Sequence, residues 1–169
     1  MLISKLHNFP LALLAIGLLL VQGCSEDTTT ENSVLEPAPD FNLMLFSGEN
    51  FQLSDQKGKP VLINFFASWC VSCGKEMPAI QMVSHEYPPD AVAFLGIAVD
   101  DTEKKAKAFM RKVGLNIPAG LDRTGEIKDA FRLYGMPTTF FIDKDGMVSY
   151  FHPGVVTEKL MRHELDKLL

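Results

Sequence analysis

At 169 residues, 47% of them hydrophobic and 22% charged, the chain has the size and balance of one globular domain. A net charge of −5 with no basic run argues against nucleic acid as a partner. Neither a repeat nor a low-complexity segment is present.

Lys5 precedes an apolar run, Phe9 to Val21, interrupted only by Pro10 and Gly17. The run falls short of the roughly 20 residues that a spanning helix needs and fits the about 7–15 of a signal h-region. It ends in Leu20-Val21-Gln22-Gly23-Cys24, which resembles a bacterial lipoprotein box, with Gln22 an unusual occupant of its position. The resemblance implies a signal over residues 1–23 and lipid on Cys24; a plain secretory signal and an uncleaved anchor are the alternatives. Lipidation would also account for the odd cysteine of three, leaving Cys70 and Cys73 as a self-contained pair. From Ser25 to Glu36 almost nothing can be buried, so 24–36 reads as anchor plus flexible tether and 37–169 as the folded domain.

The folded part opens with a predicted hairpin, Phe41–Leu45 and Phe51–Leu53 around Ser47–Asn50. After the turn Lys57-Gly58-Lys59-Pro60, the almost unbroken apolar run 61–67 predicts a central strand buried on both faces. A helix over about 71–87 follows, with Met77, Ile80, Val83 and Tyr87 at helical spacing and Pro78 as a kink point. Val92 to Val99 is the next buried strand. Thr102 is expected to cap a helix over 103–113 ended by Gly114, with Ala106, Phe109, Met110 and Val113 inward. A short extended stretch at 117–121 and a short helix from Glu126 to Tyr134, closed by Gly135, come next. Thr138–Asp143 and Met147–Phe151 pattern as a hairpin around Lys144-Asp145-Gly146. Thr157 caps a last helix whose inner face is Leu160, Met161, Leu165 and Leu168. This order predicts an α/β domain with a mixed sheet and helices on both faces.

Trp69-Cys70-Val71-Ser72-Cys73 stands where the first long strand gives way to helix. Two cysteines three apart on a first helical turn can close a disulfide. The helix N-terminus favours a thiolate, the form that attacks disulfides, so the motif reads as a reversible redox switch. A structural disulfide or half a zinc site are the alternatives. Zinc needs about four ligands, and His85, His152 and His163 show no paired ligand spacing.

Several motifs in order then carry a resemblance: Pro39-Asp40-Phe41, Gly58 to Phe65, Trp69 to Cys73, Cys73 to Pro78, and Gly135-Met136-Pro137-Thr138-Thr139-Phe140. Together they resemble the thioredoxin fold, and specifically the membrane-tethered TlpA/ResA-type thiol–disulfide oxidoreductases, across 37–169. The resemblance implies a thioredoxin-like mixed sheet with an N-terminal hairpin. It makes Cys70 the attacking thiolate and Cys73 the resolving one. It makes Pro137 a cis-proline beside the disulfide, turning the Met136 backbone toward a partner strand, where an ordinary turn proline after Gly135 is the plainer reading; Trp69 shields the sulfurs, offers contact surface or packs in the core. Glu76, three residues beyond Cys73, is the acid–base candidate; a solvated helix carboxylate is the plainer reading. Asn64 stands where thioredoxin has a buried aspartate and cannot exchange a proton, which shifts that burden to Glu76. Ser72 replaces the family's usual proline and returns a backbone N–H and a hydroxyl near the sulfurs, an effect on potential whose sign the sequence leaves open. Phe66 replaces a frequent tryptophan.

These implications add up to an extracytoplasmic enzyme that reduces protein disulfides, with cytochrome c maturation as one setting. No cofactor beyond the redox-active disulfide and no metal site is expected. Expected partners are disulfide-containing exported proteins, a membrane dithiol electron donor and the membrane itself through the anchor, with the chain a monomer. Ser25 after Cys24 favours the outer membrane in a Gram-negative source. Two other functions fit the fold: a Cu(I) metallochaperone, which usually has a longer cysteine spacing and an added histidine, and a thiol peroxidase, whose cysteine motif differs from Ser68-Trp69-Cys70.

Overall fold

The computed structural model describes residues 36–169. The expected signal over 1–23, Cys24 and the expected tether lie outside the described residues, except Glu36, which belongs to the first strand and not to the tether. Among those described, eight strands and four α-helices follow one another as β1 (Glu36–Pro37), β2 (Asn42–Met44), β3 (Asn50–Gln52), β4 (Val61–Phe66), α1 (Cys73–Ser84), β5 (Ala93–Ala98), α2 (Glu103–Val113), β6 (Ala119–Leu121), α3 (Glu126–Ala130), β7 (Thr138–Ile142), β8 (Met147–Pro153) and α4 (Glu158–Asp166). Six strands form one mixed sheet in the order β1-β8-β7-β4-β5-β6. β4, β5 and β6 run parallel, while β7 is antiparallel to β4 and to β8. This is the thioredoxin-like architecture.

β4 lies in the middle, and all six of its residues are buried. Leu62 and Phe66 pack with Met77, Ile80 and Val83 of α1, Met110 of α2, and Met161 and Leu165 of α4. Ile63 and Phe65 pack on the opposite face with Phe41, Leu43, Phe51, Ile127, Phe131 and Phe140. Alternation along one strand therefore feeds two cores, which explains why its sequence shows no polar face. The β2–β3 hairpin leans on β6 through the Leu45–Gly120 bridge. A Cβ on Gly120 would come within 2.6 Å of the Met44 carbonyl oxygen, so only glycine lets the two backbones approach.

The caps behave as their chemistry predicts. The Thr102 hydroxyl accepts from Lys105 N, Gly114 closes α2 at φ 72°, and the Thr157 hydroxyl accepts from Leu160 N. Three expectations need correction. α1 covers Cys73–Ser84 rather than 71–87: His85 takes up the end of the helix, its N–H on the Met82 carbonyl and the Glu86 N–H on that of Val83, and Tyr87 precedes Pro88, where helical backbone is disfavoured. α3 stops at Ala130, not Tyr134. Its terminator is Arg132 at φ 49°, while Gly135 keeps an ordinary φ. The Phe131 ring is held 4.9 Å from Phe140 and 5.3 Å from Phe65, and the chain turns around that anchor, leaving Tyr134 98% exposed. On α4, Met161 and Leu165 are buried as expected, but Leu160 and Leu168 are only half-buried. Among the described residues no helix is long and apolar enough to cross a membrane.

Candidate active site

The C-terminal ends of β4 and β5 lie side by side, because the two strands are parallel and in register from Val61–Ala93 to Phe66–Ala98. The loop after β5 holds the segment after β4. Asp101 accepts from Ser68 N at 2.6 Å, from the Ser68 hydroxyl at 2.9 Å and from Thr102 N at 2.7 Å. Trp69 Nε1 donates to the Asp100 carbonyl at 2.9 Å, with Asp100 in the left-handed region at φ 50°. The next residue is Cys70. Its position is thus fixed from behind before α1 begins.

Cys70 and Cys73 form a disulfide with Cα atoms 5.3 Å apart. The sequence reading put both on the first helical turn; the structure puts Cys73 at the first helical position and Cys70 in the turn before it. The difference is chemical. The Cys73 N–H, one of the donors a helix start leaves unpaired, points at Cys70 Sγ at 3.1 Å, and the Ser72 hydroxyl lies 3.3 Å from the same sulfur. Cys70 retains 7% exposure and Cys73 none.

Glu76 is fully buried, which removes the reading of a solvated helix carboxylate. Asn64 Nδ2 donates to Oε1 at 2.7 Å and Val156 N to Oε2 at 2.8 Å. Burial pushes its pKa up to about 7, against the downward pull of the Val156 and Asn64 hydrogen bonds. Asn64 Nδ2 also reaches Thr139 Oγ1 at 3.0 Å, while its Oδ1 is buried without a hydrogen-bond partner. Glu76 and Cys73 sit one turn apart on the same helix.

Met136–Pro137 is a cis peptide. Pro137 is buried and its carbonyl accepts from Gly154 N at 2.8 Å; Met136 is half-buried between the two cores. Beside this bond opens an apolar hollow of about 350 Å³ lined by Phe131, Leu133, Tyr134, Met136, Phe151 and Pro153. Trp69 is 60% exposed, which excludes core packing as its role. Exposed Val71, Tyr134 and Val155 add apolar surface from three different loops. Sequence reasoning missed Asp101, Thr139 and the Val156 N–H. Asp101 and Thr139 are polar residues where apolar strands begin or end, a signal that was there to follow; a backbone N–H carries none.

A parallel–antiparallel sheet presenting Trp-Cys-x-x-Cys at a helix start, opposite a cis-proline, defines the thioredoxin-fold thiol–disulfide oxidoreductases. The chain is 37% identical over 134 residues to the thioredoxin-like protein YneN of Bacillus subtilis, covering 78% of each. It is 33% identical over 155 residues to the thiol-disulfide oxidoreductase ResA of Bacillus cereus, covering 91% of this chain and 88% of that one. Among solved structures, a thiol:disulfide interchange protein of the thioredoxin family from Chlorobium tepidum superposes with a TM-score of 0.72 at 30% identity, over 79% of this chain and 96% of that one. The profile of the AhpC/TSA family matches residues 34–151, and the chain belongs to that family.

Proposed function

We propose that this thiol–disulfide oxidoreductase works outside the cytoplasm as a reductase of disulfides in exported proteins, apocytochrome c among them, tethered by lipid on Cys24. The observation that carries the reading is the unequal pair of sulfurs: Cys70, which keeps 7% exposure, under one N–H and one O–H donor, and Cys73, which keeps none, one helical turn from a buried carboxylate. In the reduced enzyme the Cys70 thiolate attacks one sulfur of the partner's disulfide and expels the other as a thiolate. Cys73 then attacks Cys70 Sγ, forming the internal disulfide and releasing the partner's second sulfur. The partner gains two electrons and this chain loses two.

Cys73 must lose its proton while buried. Glu76 takes it, because a carboxyl poised at about 7 exchanges protons in the neutral range. The Met136 backbone beside Pro137 offers a strand edge to the partner, with Trp69 as flanking contact surface. A dithiol donor in the membrane returns electrons to the disulfide. The signal-like run ending at Cys24 supports the location and the anchor, and Ser25 supports an outer-membrane destination in a Gram-negative cell. A monomer suffices for every step.

The test is capture. Cys73→Ser is expected to accumulate dithiothreitol-sensitive adducts with exported proteins, and Cys70→Ser to accumulate none; the reverse pattern would exchange the two roles. A reduction potential near that of strong periplasmic oxidants would end the reductase reading.

A further inference from the structure

We propose that the Ser72 hydroxyl takes part in the exchange itself, as a hydrogen-bond donor that stabilises the Cys70 thiolate; this rests on the dithiol-exchange reading above.

Ser72 occupies the N-cap of α1, where a serine side chain ordinarily accepts from the N–H two or three residues on. Here it makes no such cap. Its backbone is already helical, at φ −66° and ψ −33°, and the Lys75 N–H goes to the Ser72 carbonyl at 3.1 Å instead. The hydroxyl is left for the sulfur, 3.3 Å away. In the disulfide Cys70 carries no hydrogen, so the Ser72 O–H is the donor of that contact. With the Cys73 N–H at 3.1 Å, two donors converge on one sulfur.

A disulfide sulfur is a weak acceptor and a thiolate a strong, charge-assisted one. When a dithiol donor reduces the pair, the Cys70–Cys73 bond breaks, two electrons enter, and the donor leaves as a disulfide. The Ser72 bond then strengthens at Cys70. It favours the reduced thiolate over both the thiol and the disulfide, so it lowers the Cys70 pKa and makes the couple more oxidising than the same fold with no donor at 72. This gives the sign that sequence reasoning left open.

The experiment compares wild type, Ser72→Ala and Ser72→Thr, all full-length. Thiolate absorbance and iodoacetamide rates against pH give the Cys70 midpoint, and equilibration with glutathione gives the potential. Ser72→Ala is expected to raise the midpoint by about 0.5–1 unit, cutting the thiolate fraction roughly three- to tenfold below it. It also makes the potential more negative, a tenfold change in the equilibrium constant being about 30 mV. Ser72→Thr, which keeps the hydroxyl, is expected to stay with wild type. Coincident midpoints for alanine and wild type, or a threonine variant that follows alanine, would overturn the proposal. So would an alanine shift matched by an equal loss of thermal stability in the oxidised protein, since the hydroxyl would then only be holding the turn. Insulin reduction by the wild-type protein with dithiothreitol reports on the exchange reading separately: no turnover there sinks that reading, whatever residue 72 does.

Discussion

The two sides of the Cys70–Cys73 bond contrast sharply over a single helical turn. On the outer side stand Cys70, Ser72 and the exposed apolar residues Trp69, Val71 and Tyr134. On the inner side Cys73, Glu76, Asn64 and Thr139 are all fully buried. At Cys70, which keeps 7% exposure, charge on sulfur is tuned by the hydrogen bonds donated to it. Inside, charge on the carboxylate is set chiefly by desolvation, which outweighs two good hydrogen bonds. One helix start thus holds two groups whose ionisation answers to different physics, and each can be altered alone.

Removing the outer sulfur has the largest effect. Cys70→Ser is expected to cut dithiothreitol-driven insulin reduction by at least about a thousandfold, since the one other cysteine among the described residues, Cys73, is fully buried. A residual activity within tenfold of wild type would break the division into outer attacker and inner resolver. The inner side comes next. Glu76→Gln is expected to slow resolution of a mixed disulfide by about a hundredfold and to erase the inflection near pH 7 in its rate.

The same carboxyl has a stability signature. It titrates at about 7 folded against 4.5 in the ordinary state, so the folded chain holds the extra proton between those values. Its contribution is complete below about pH 4.5 and is lost as the pH rises through 7, by up to about 3 kcal/mol. Urea unfolding of the oxidised protein at pH 4.5 and 8 should show that decline in wild type and its absence in Glu76→Gln. Smaller again is Asp101→Ala, which strips the loop after β4 of two anchors. It is expected to cost about 1–3 kcal/mol and to raise hydrogen exchange at Ser68. Smallest is Tyr134→Ser: stability within about 0.5 kcal/mol of wild type, KM for protein substrates raised severalfold, and rates on small disulfides unchanged. An equal loss on small disulfides would move Tyr134 from docking into the chemistry.

Much of this molecule can be read from its letters because local and global signals agree. The run 61–66 announces a strand buried twice, and Thr102, Gly114 and Thr157 announce helix ends that their side chains and backbone then make. Cys70 and Cys73 declare themselves by their spacing, and Pro137 through the family resemblance. What stayed hidden was decided by distant partners. The early stop of α3 follows from where the Phe131 ring is held by Phe65 and Phe140, both from other strands. The burial of Glu76 depends on Asn64, twelve residues earlier, and on Val156, eighty residues later. The two-residue β1 has no pattern of its own and exists only through its pairing with β8.

The Val156 bond to Glu76 has a practical corollary. The amide that steadies the carboxylate belongs to the stretch leading into α4, so the acidity of residue 76 is coupled to how the C-terminal helix is seated. Lengthening or trimming that lead-in by one residue would retune a carboxyl eighty residues earlier in the chain without changing any residue of α1. Tail engineering thereby becomes a dial for the pH range in which the enzyme turns over.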